Sequence, residues 1–171
     1  MNNDLFAELI ECDLKTTSSI KKIYARFCEH ENFITELFNL FSCPDVEREA
    51  TWLFKHHCEN KAISLNSTKC EIFYSSAICL QHWEATLHVL QVMEYVKIPS
   101  QQSNVIYGFL QKCTEHENKM VRAWTYYGLA VFAVSFPEKK TEILATLTQA
   151  KEVEAAASIK VRLRKAHALL S

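Results

Sequence analysis

Glycine and proline together occur only five times in 171 residues, at Gly108, Gly128, Pro44, Pro99 and Pro137. A β-rich chain of this length turns tightly about every 8–12 residues, and tight turns draw on those two residue types. Without them, helices joined by short polar connections remain. The chain is long enough for one well-formed core and short for two ordinary domains. Apolar residues make up 49% of it, which sets it apart from a disordered segment.

The apolar positions recur with helical spacing almost throughout. Phe33, Ile34, Leu37, Phe38, Leu40 and Phe41 form one stripe. Val105, Ile106, Phe109, Leu110 and Cys113 form a second, and Ile143, Leu144, Leu147 and Ala150 a third. Ile159, Leu163, Ala166 and Leu170 close the chain on the same period. Start signals sit between the stripes: Ser42, Pro44 and Asp45 before Val46, Ser67 before Cys70, Pro99 with Ser100, and Pro137 at a first helical turn. These marks predict an all-α chain of about ten helices, near 4–12, 15–29, 32–41, 45–58, 67–79, 81–97, 101–114, 118–135, 138–150 and 154–170, with a loop over 60–66. Leu53, Phe109 and Leu129 are expected in the core.

The pattern also repeats. Val46, Glu47, Arg48, Glu49, Ala50 aligns with Val121, Arg122, Ala123, Trp124, Thr125, and Gln81 to Ala85 carries a small residue at the same fifth place. Val161 and Arg162 begin a fourth copy. Starts at 46, 81, 121 and 161 lie about 35–40 residues apart, the period of helix-pair repeats. The tetrad EHEN, at 29–32 and at 115–118, is a second echo. A lone helix pair cannot cover its apolar face, so pairs must stack, and small residues such as Ala50, Ala85, Thr125 and Gly128 let helix axes approach.

On these residues the chain resembles HEAT repeats. Val121-Arg122 through Gly128-Leu129-Ala130 follows the outline of that family's second helix, and Asp45-Val46 through Ala50 and Leu53 follows part of it, with Arg48 one place late. Residues 81–90 lack the Arg, and Lys165 fills the small-residue slot of the last copy. The resemblance implies a HEAT/armadillo-like α-α superhelix of antiparallel helix pairs, with capping helices over 1–31 and repeats over 32–171 in one domain, and second helices lining a concave face.

Charge and composition narrow the function classes. A net charge of −1 argues against a surface devoted to coating nucleic acid. Asp4, Glu8, Glu11 and Asp13 interrupt the first fourteen residues, unlike a signal peptide, and the apolar run from Ala123 to Phe136 is too short to span a bilayer. Both point to the cytoplasm, with no membrane partner. Seven cysteines at wide spacings, with no CxxC, are expected to be mostly small core residues.

Chemistry-bearing groupings are sparse. Cys28 with His30, the run His56, His57, Cys58, and Cys113 with His116 bring ligand types together. Neighbours on a helix point about 100° apart, so residues 56–58 cannot all face one ion. No HExxH, GxSxG or glycine-rich phosphate loop occurs. No metal, cofactor or catalytic residue is therefore expected. Trp52, Trp83 and Trp124 are expected to pack in the core, with an aromatic concave groove as the functional alternative. The cations Lys160, Arg162, Arg164 and Lys165, followed by His167, complement the dipole of a last helix or contact an anion.

The expected function is a non-catalytic interaction module that binds a protein or peptide on the concave face. The alternative is a DNA-binding protein like the HEAT-like DNA-alkylation-repair glycosylases, and a homodimer is a third arrangement. A groove of mixed charge favours the protein binder; a continuous positive groove holding one carboxylate favours the glycosylase. The residues expected on the concave face are Arg48, Lys55, His82, Arg122, Tyr126 and Arg162, with Tyr126 beside Arg122 on the side away from Val121, Thr125 and Leu129. For Arg122 a second role competes, that of tying neighbouring repeats together.

Overall fold

A computed structural model describes residues 3–12 and 17–171. It is 77% helical, with no strand among the described residues. Ten α-helices follow in order: α1 Asn3–Ile10, α2 Thr17–Phe27, α3 Phe33–Leu40, α4 Glu47–Asn60, α5 Ser67–Ala77, α6 Trp83–Val92, α7 Ser103–Thr114, α8 Lys119–Ser135, α9 Lys140–Val153 and α10 Ala157–Leu170. The predicted start of the second helix at residue 15 lies outside the described residues. The loop expected over 60–66 is found from 61 to 66. Among the described residues no helix is long and apolar enough to cross a membrane.

Local chemistry sets the helix ends. Asn66 and Asn118 cap α5 and α8, their side-chain oxygens accepting from the backbone N–H of Lys69 at 2.9 Å and of Met120 at 2.8 Å. Pro137 opens a 3-10 turn that leads into α9, where its missing N–H leaves no helical bond unmade. The helix expected over 81–97 stops earlier, at Val92, and continues as a 3-10 turn at Met93–Tyr95. Beyond it the chain extends to Pro99, and the buried Tyr74 hydroxyl donates to the Val96 carbonyl at 3.0 Å.

The even-numbered helices touch one another in succession. α4 packs on α2 and α6, and α8 packs on α6 and α10. The odd-numbered helices attach to this row: α1 to α2, α3 to α4, α7 to α8, α9 to α8 and α10, and α3 also to α5. One continuous core runs from Leu5 to Leu170. Its densest aromatic region joins α3, α4 and α5 through Phe38, Phe41, Phe54 and Phe73, with Phe38 and Phe54 ring centres 5.0 Å apart. Leu53 and Leu129 are fully buried as expected, whereas Phe109 is only partly covered. Trp52 and Trp124 are partly buried and pack against the core, whereas Trp83, 38% exposed, departs from the expected core packing. Of the cysteines, Cys58, Cys70 and Cys113 are buried, three others are intermediate and Cys79 is exposed.

Candidate binding face and the ties beneath it

Side-chain bonds between distant residues recur at nearly one separation. The Tyr24 hydroxyl lies 3.2 Å from His57 Nδ1, 33 residues on. Thr51 Oγ1 lies 3.0 Å from His88 Nδ1, 37 residues on, and Arg48 donates to Glu84 at 3.4 Å, 36 residues on. The Tyr127 hydroxyl donates to Glu94 at 2.9 Å across 33 residues, and Arg122 reaches Glu154 across 32. Each bond joins one even-numbered helix, or the 3-10 turn that continues α6, to the next even-numbered helix or to the turn that leads into it. The sequence period of about 35 residues thus has a counterpart in side-chain chemistry.

Two aligned positions make the strongest ties with opposite charge. Glu47, 2% exposed, accepts the backbone N–H groups of Gln81, at 3.1 Å, and of His82, at the N-terminus of α6. A carboxylate there meets the positive end of the helix dipole. Arg122, which stands at the aligned position of α8, donates from Nε and Nη2 to the two oxygens of Glu154, at 2.7 and 3.1 Å, and from Nη1 to the carbonyls of His116 and Glu117 at 2.8 and 2.9 Å. That bidentate bond holds the Glu154 carboxyl below its ordinary range. The Tyr126 hydroxyl also donates to Glu154, at 3.2 Å, and burial followed by that carboxylate pushes the phenol up to about 12.

Tyr126 is 5% exposed, so it lies in the core instead of on the open side of α8 where sequence placed it. The helical-wheel expectation assumed one covered side. α8 instead contacts α6, α7, α9 and α10, and residues all round it are buried, Ala123, Tyr126, Ala130 and Ala133 among them. The surface left open carries Trp124, Tyr127, Val131 and Val134.

The other residues singled out from sequence divide into two groups. Arg48 is spent on Glu49 at 2.9 Å and on Glu84, and His82 caps α6 by accepting the Glu84 N–H at 3.2 Å. Lys55 pairs with Glu59 at 2.9 Å on the outer side of α4. Arg162 makes no ion pair among the described residues, and its guanidinium carbon sits 3.4 Å from the centre of the Trp124 ring. Burial against that ring lowers the Arg162 pKa.

These positions join a contiguous face over the even-numbered helices. Trp52 stacks on His56 with ring centres 4.8 Å apart. Lys55 and Glu59 follow on the same helix, then Tyr95, 43% exposed, with Glu94 and its bond to Tyr127. Tyr127 meets Trp124 edge-on at 6.0 Å, and Arg162 closes the row. The face therefore holds partly exposed aromatic rings with both signs of charge between them. The sequence places Trp52 and Trp124 in the core ahead of an aromatic groove and does not single out Tyr95 or Tyr127, because periodicity does not separate an open stripe from a covered one.

No group of three His, Cys, Asp or Glu side chains converges as metal ligands among the described residues. His56 is stacked on Trp52 and His57 faces the Phe33 ring, and both meet the ring of Tyr24, at 4.7 and 6.0 Å. Compared with protein-family models, with curated proteins and with solved structures, the chain gives no match. The class that fold and site define is thus an all-helical protein with a mixed-charge aromatic face.

Proposed function

We propose that this chain is a non-catalytic interaction module, built as a HEAT-like superhelix of stacked helix pairs, which binds a protein or peptide on the face of its even-numbered helices. The carrying observation is the row Trp52, Tyr95, Tyr127 and Trp124 with Arg162 beside it. Trp, Tyr and Arg are the residues in which binding energy concentrates, since each brings a large rigid surface and a polar edge. The superhelical arrangement draws support from contacts between successive even-numbered helices and from ties spaced by about 35 residues. Glu59, Glu84 and Glu94 lie among the cations of the same face, and mixed charge favours a protein partner over a phosphate backbone. A cytoplasmic setting belongs to this reading, since a chain with seven cysteines keeps its thiols there.

The test places a photo-crosslinking amino acid at Tyr127 or Trp52 in the native host and identifies the captured partner by mass spectrometry. With the purified partner, Trp124→Ala and Arg162→Ala should each weaken binding by about 2 kcal/mol, roughly thirtyfold, the Arg162 variant with little change in melting temperature. Unchanged affinity in both variants rejects the face. A captured nucleic acid supports the glycosylase-like alternative instead.

A further inference from the structure

On α10, Arg162, Lys165 and Leu169 recur at i, i+3 and i+7, on the side of the helix turned away from Lys160 and Arg164. On α8, Trp124, Tyr127, Val131 and Val134 form a matching stripe. Arg162 lies over Trp124 at one end, and at the other Leu169 lines the same recess as Val131 and Val134, so the two stripes run in register. That recess has a volume of about 380 Å³, with Val134 57% and Leu169 41% exposed. Two helical turns, roughly 10 Å, separate Leu169 from Arg162 along the axis of α10. The arginines differ in how their charge is used. Arg26, Arg48 and Arg122 each hold a carboxylate. Arg162 holds none among the described residues and donates no hydrogen bond there, its guanidinium lying flat against the Trp124 ring at 3.4 Å. Glu94 acts on it electrostatically, yet accepts from the Tyr127 hydroxyl at 2.9 Å and forms no ion pair with it. Stacking on an indole holds the guanidinium plane and leaves its N–H fork unspent, the arrangement that takes a carboxylate in two parallel bonds.

We propose that this end of the even-helix face recognises an acidic side chain of the partner, its carboxylate taken by the Arg162 fork, together with an apolar side chain seated between Val131, Val134 and Leu169. The assignment rests on the interaction-module reading and names what that partner carries. Charge selects the occupant. A partly covered cation with unspent donors gains most from an anion, and Arg162 with the exposed Lys165 repels a basic segment. A phosphate backbone would leave the apolar recess empty, and Glu94 beside the fork opposes a run of phosphates. An acidic and an apolar side chain roughly 10 Å apart satisfy both features, a spacing of about three residues in extended chain or two turns of helix.

The probe is a phage-displayed library of random peptides about 16 residues long, fused through their C-termini so that side chains alone supply carboxylates. The whole chain is the bait. Enriched peptides should share an Asp or Glu and, about 10 Å away, an apolar residue. The strongest is then synthesised with a fluorescent label and measured by anisotropy. Changing its acid to the amide should weaken binding about tenfold or more, and so should Arg162→Gln. Both changes together should weaken it hardly further, because they break the same bond. Arg162→Lys should recover only part of the loss, since an ammonium lacks the fork. Val134→Asp should weaken binding about tenfold, and Arg164→Gln, on the opposite side of α10, should leave it unchanged. The peptide change leaves the protein untouched, and melting curves verify that the variants fold. Enriched peptides without an acid overturn the carboxylate pairing, as does an acid whose loss adds in full to that of Arg162. If Trp124→Ala still abolishes binding in those cases, the interaction-module reading stands. Peptides indifferent to Trp124, Tyr127 and Arg162 alike, or no enrichment at all, overturn both. A single-stranded oligonucleotide that binds tighter than the peptide and depends on Arg162 overturns the acidic partner and assigns the fork to phosphate.

Discussion

At the scale of single residues, polar side chains do structural work that a list of surface charges conceals. Arg122 makes four hydrogen bonds to groups from two different turns, with its side chain 23% exposed and that of Glu154 12%. Arg122→Ala strands a shielded carboxylate and two carbonyls, and should cost about 2–3 kcal/mol in urea denaturation. Arg122→Lys should recover only part, because an ammonium cannot reproduce the fork. Because Glu154 is held below 4.5, its tie stabilises the fold above that pH and fades as the carboxyl protonates at lower pH. The stability gap between the native chain and Glu154→Gln should therefore shrink as pH falls below 4.5. His88 acts over a different window. Burial, with Lys55 nearby, pushes its pKa down to about 3, and its Nδ1 meets Thr51 Oγ1. The imidazole is neutral in the fold and takes up a proton near pH 6.5 once unfolded, so stability is complete above that pH and declines from 6.5 toward 3. At pH 5 the loss should be about 2 kcal/mol, measurable as a fall in stability from pH 8 to pH 5 larger by that amount in the native chain than in His88→Gln.

At the scale of elements, the two glycines test what helix packing demands. A Cβ on Gly108 would meet nothing within 4 Å, whereas one on Gly128 would meet Met93 Sδ at 3.0 Å and Leu110 Cδ2 at 3.3 Å. Gly108→Ala should therefore raise stability by about 0.5–1 kcal/mol, by removing backbone freedom from the unfolded chain. Gly128→Leu should lower it by about 1–3 kcal/mol, since α8 there approaches α6 and α7 too closely for a larger side chain. Denaturant midpoints of both variants check the pair, and equal effects would mean α8 is not so tightly enclosed. The helices themselves were legible because apolar residues at i, i+3 and i+4 mark a buried side wherever the helix has only one, as α10 does with Ile159, Leu163, Ala166 and Leu170. The open stripe of α8 was not legible, because packing on four neighbours buries Tyr126 as well as Leu129. Nor was the bond of Arg122 to Glu154. A lone sequence carries the charges but not the pairing, and at the aligned position of α4 an acid, Glu47, makes the forward tie instead.

At the scale of the whole molecule, the unequal distribution of contacts predicts an order of opening. Contacts pass mainly from each even-numbered helix to the next, so an element's stability depends on how many neighbours it has. α8 is enclosed by four helices and packs most extensively on α10, which carries the Glu154 turn at its start. α1 packs chiefly on α2, and α2 in turn meets the row chiefly through α4. Two ion pairs in that region are exposed or half-exposed, Arg26 with Glu8 and Lys61 with Glu29, beside the part-buried bond of Tyr24 to His57. Exposed ion pairs contribute little, about 0–1 kcal/mol, so they do not offset the thinner packing. Local openings at this end should therefore need much less free energy than global unfolding, while amides of α8 and α10 exchange only when the core comes apart. Native-state hydrogen exchange should show α1 and α2 losing protection first and α8 last. Arg122→Ala should lower the protection of α8 and α10 together and leave that of α1 and α2 unchanged, because the severed tie belongs to the other end of the row. Uniform exchange across all ten helices would mean instead that the molecule opens as one cooperative unit, with no gradient along the row.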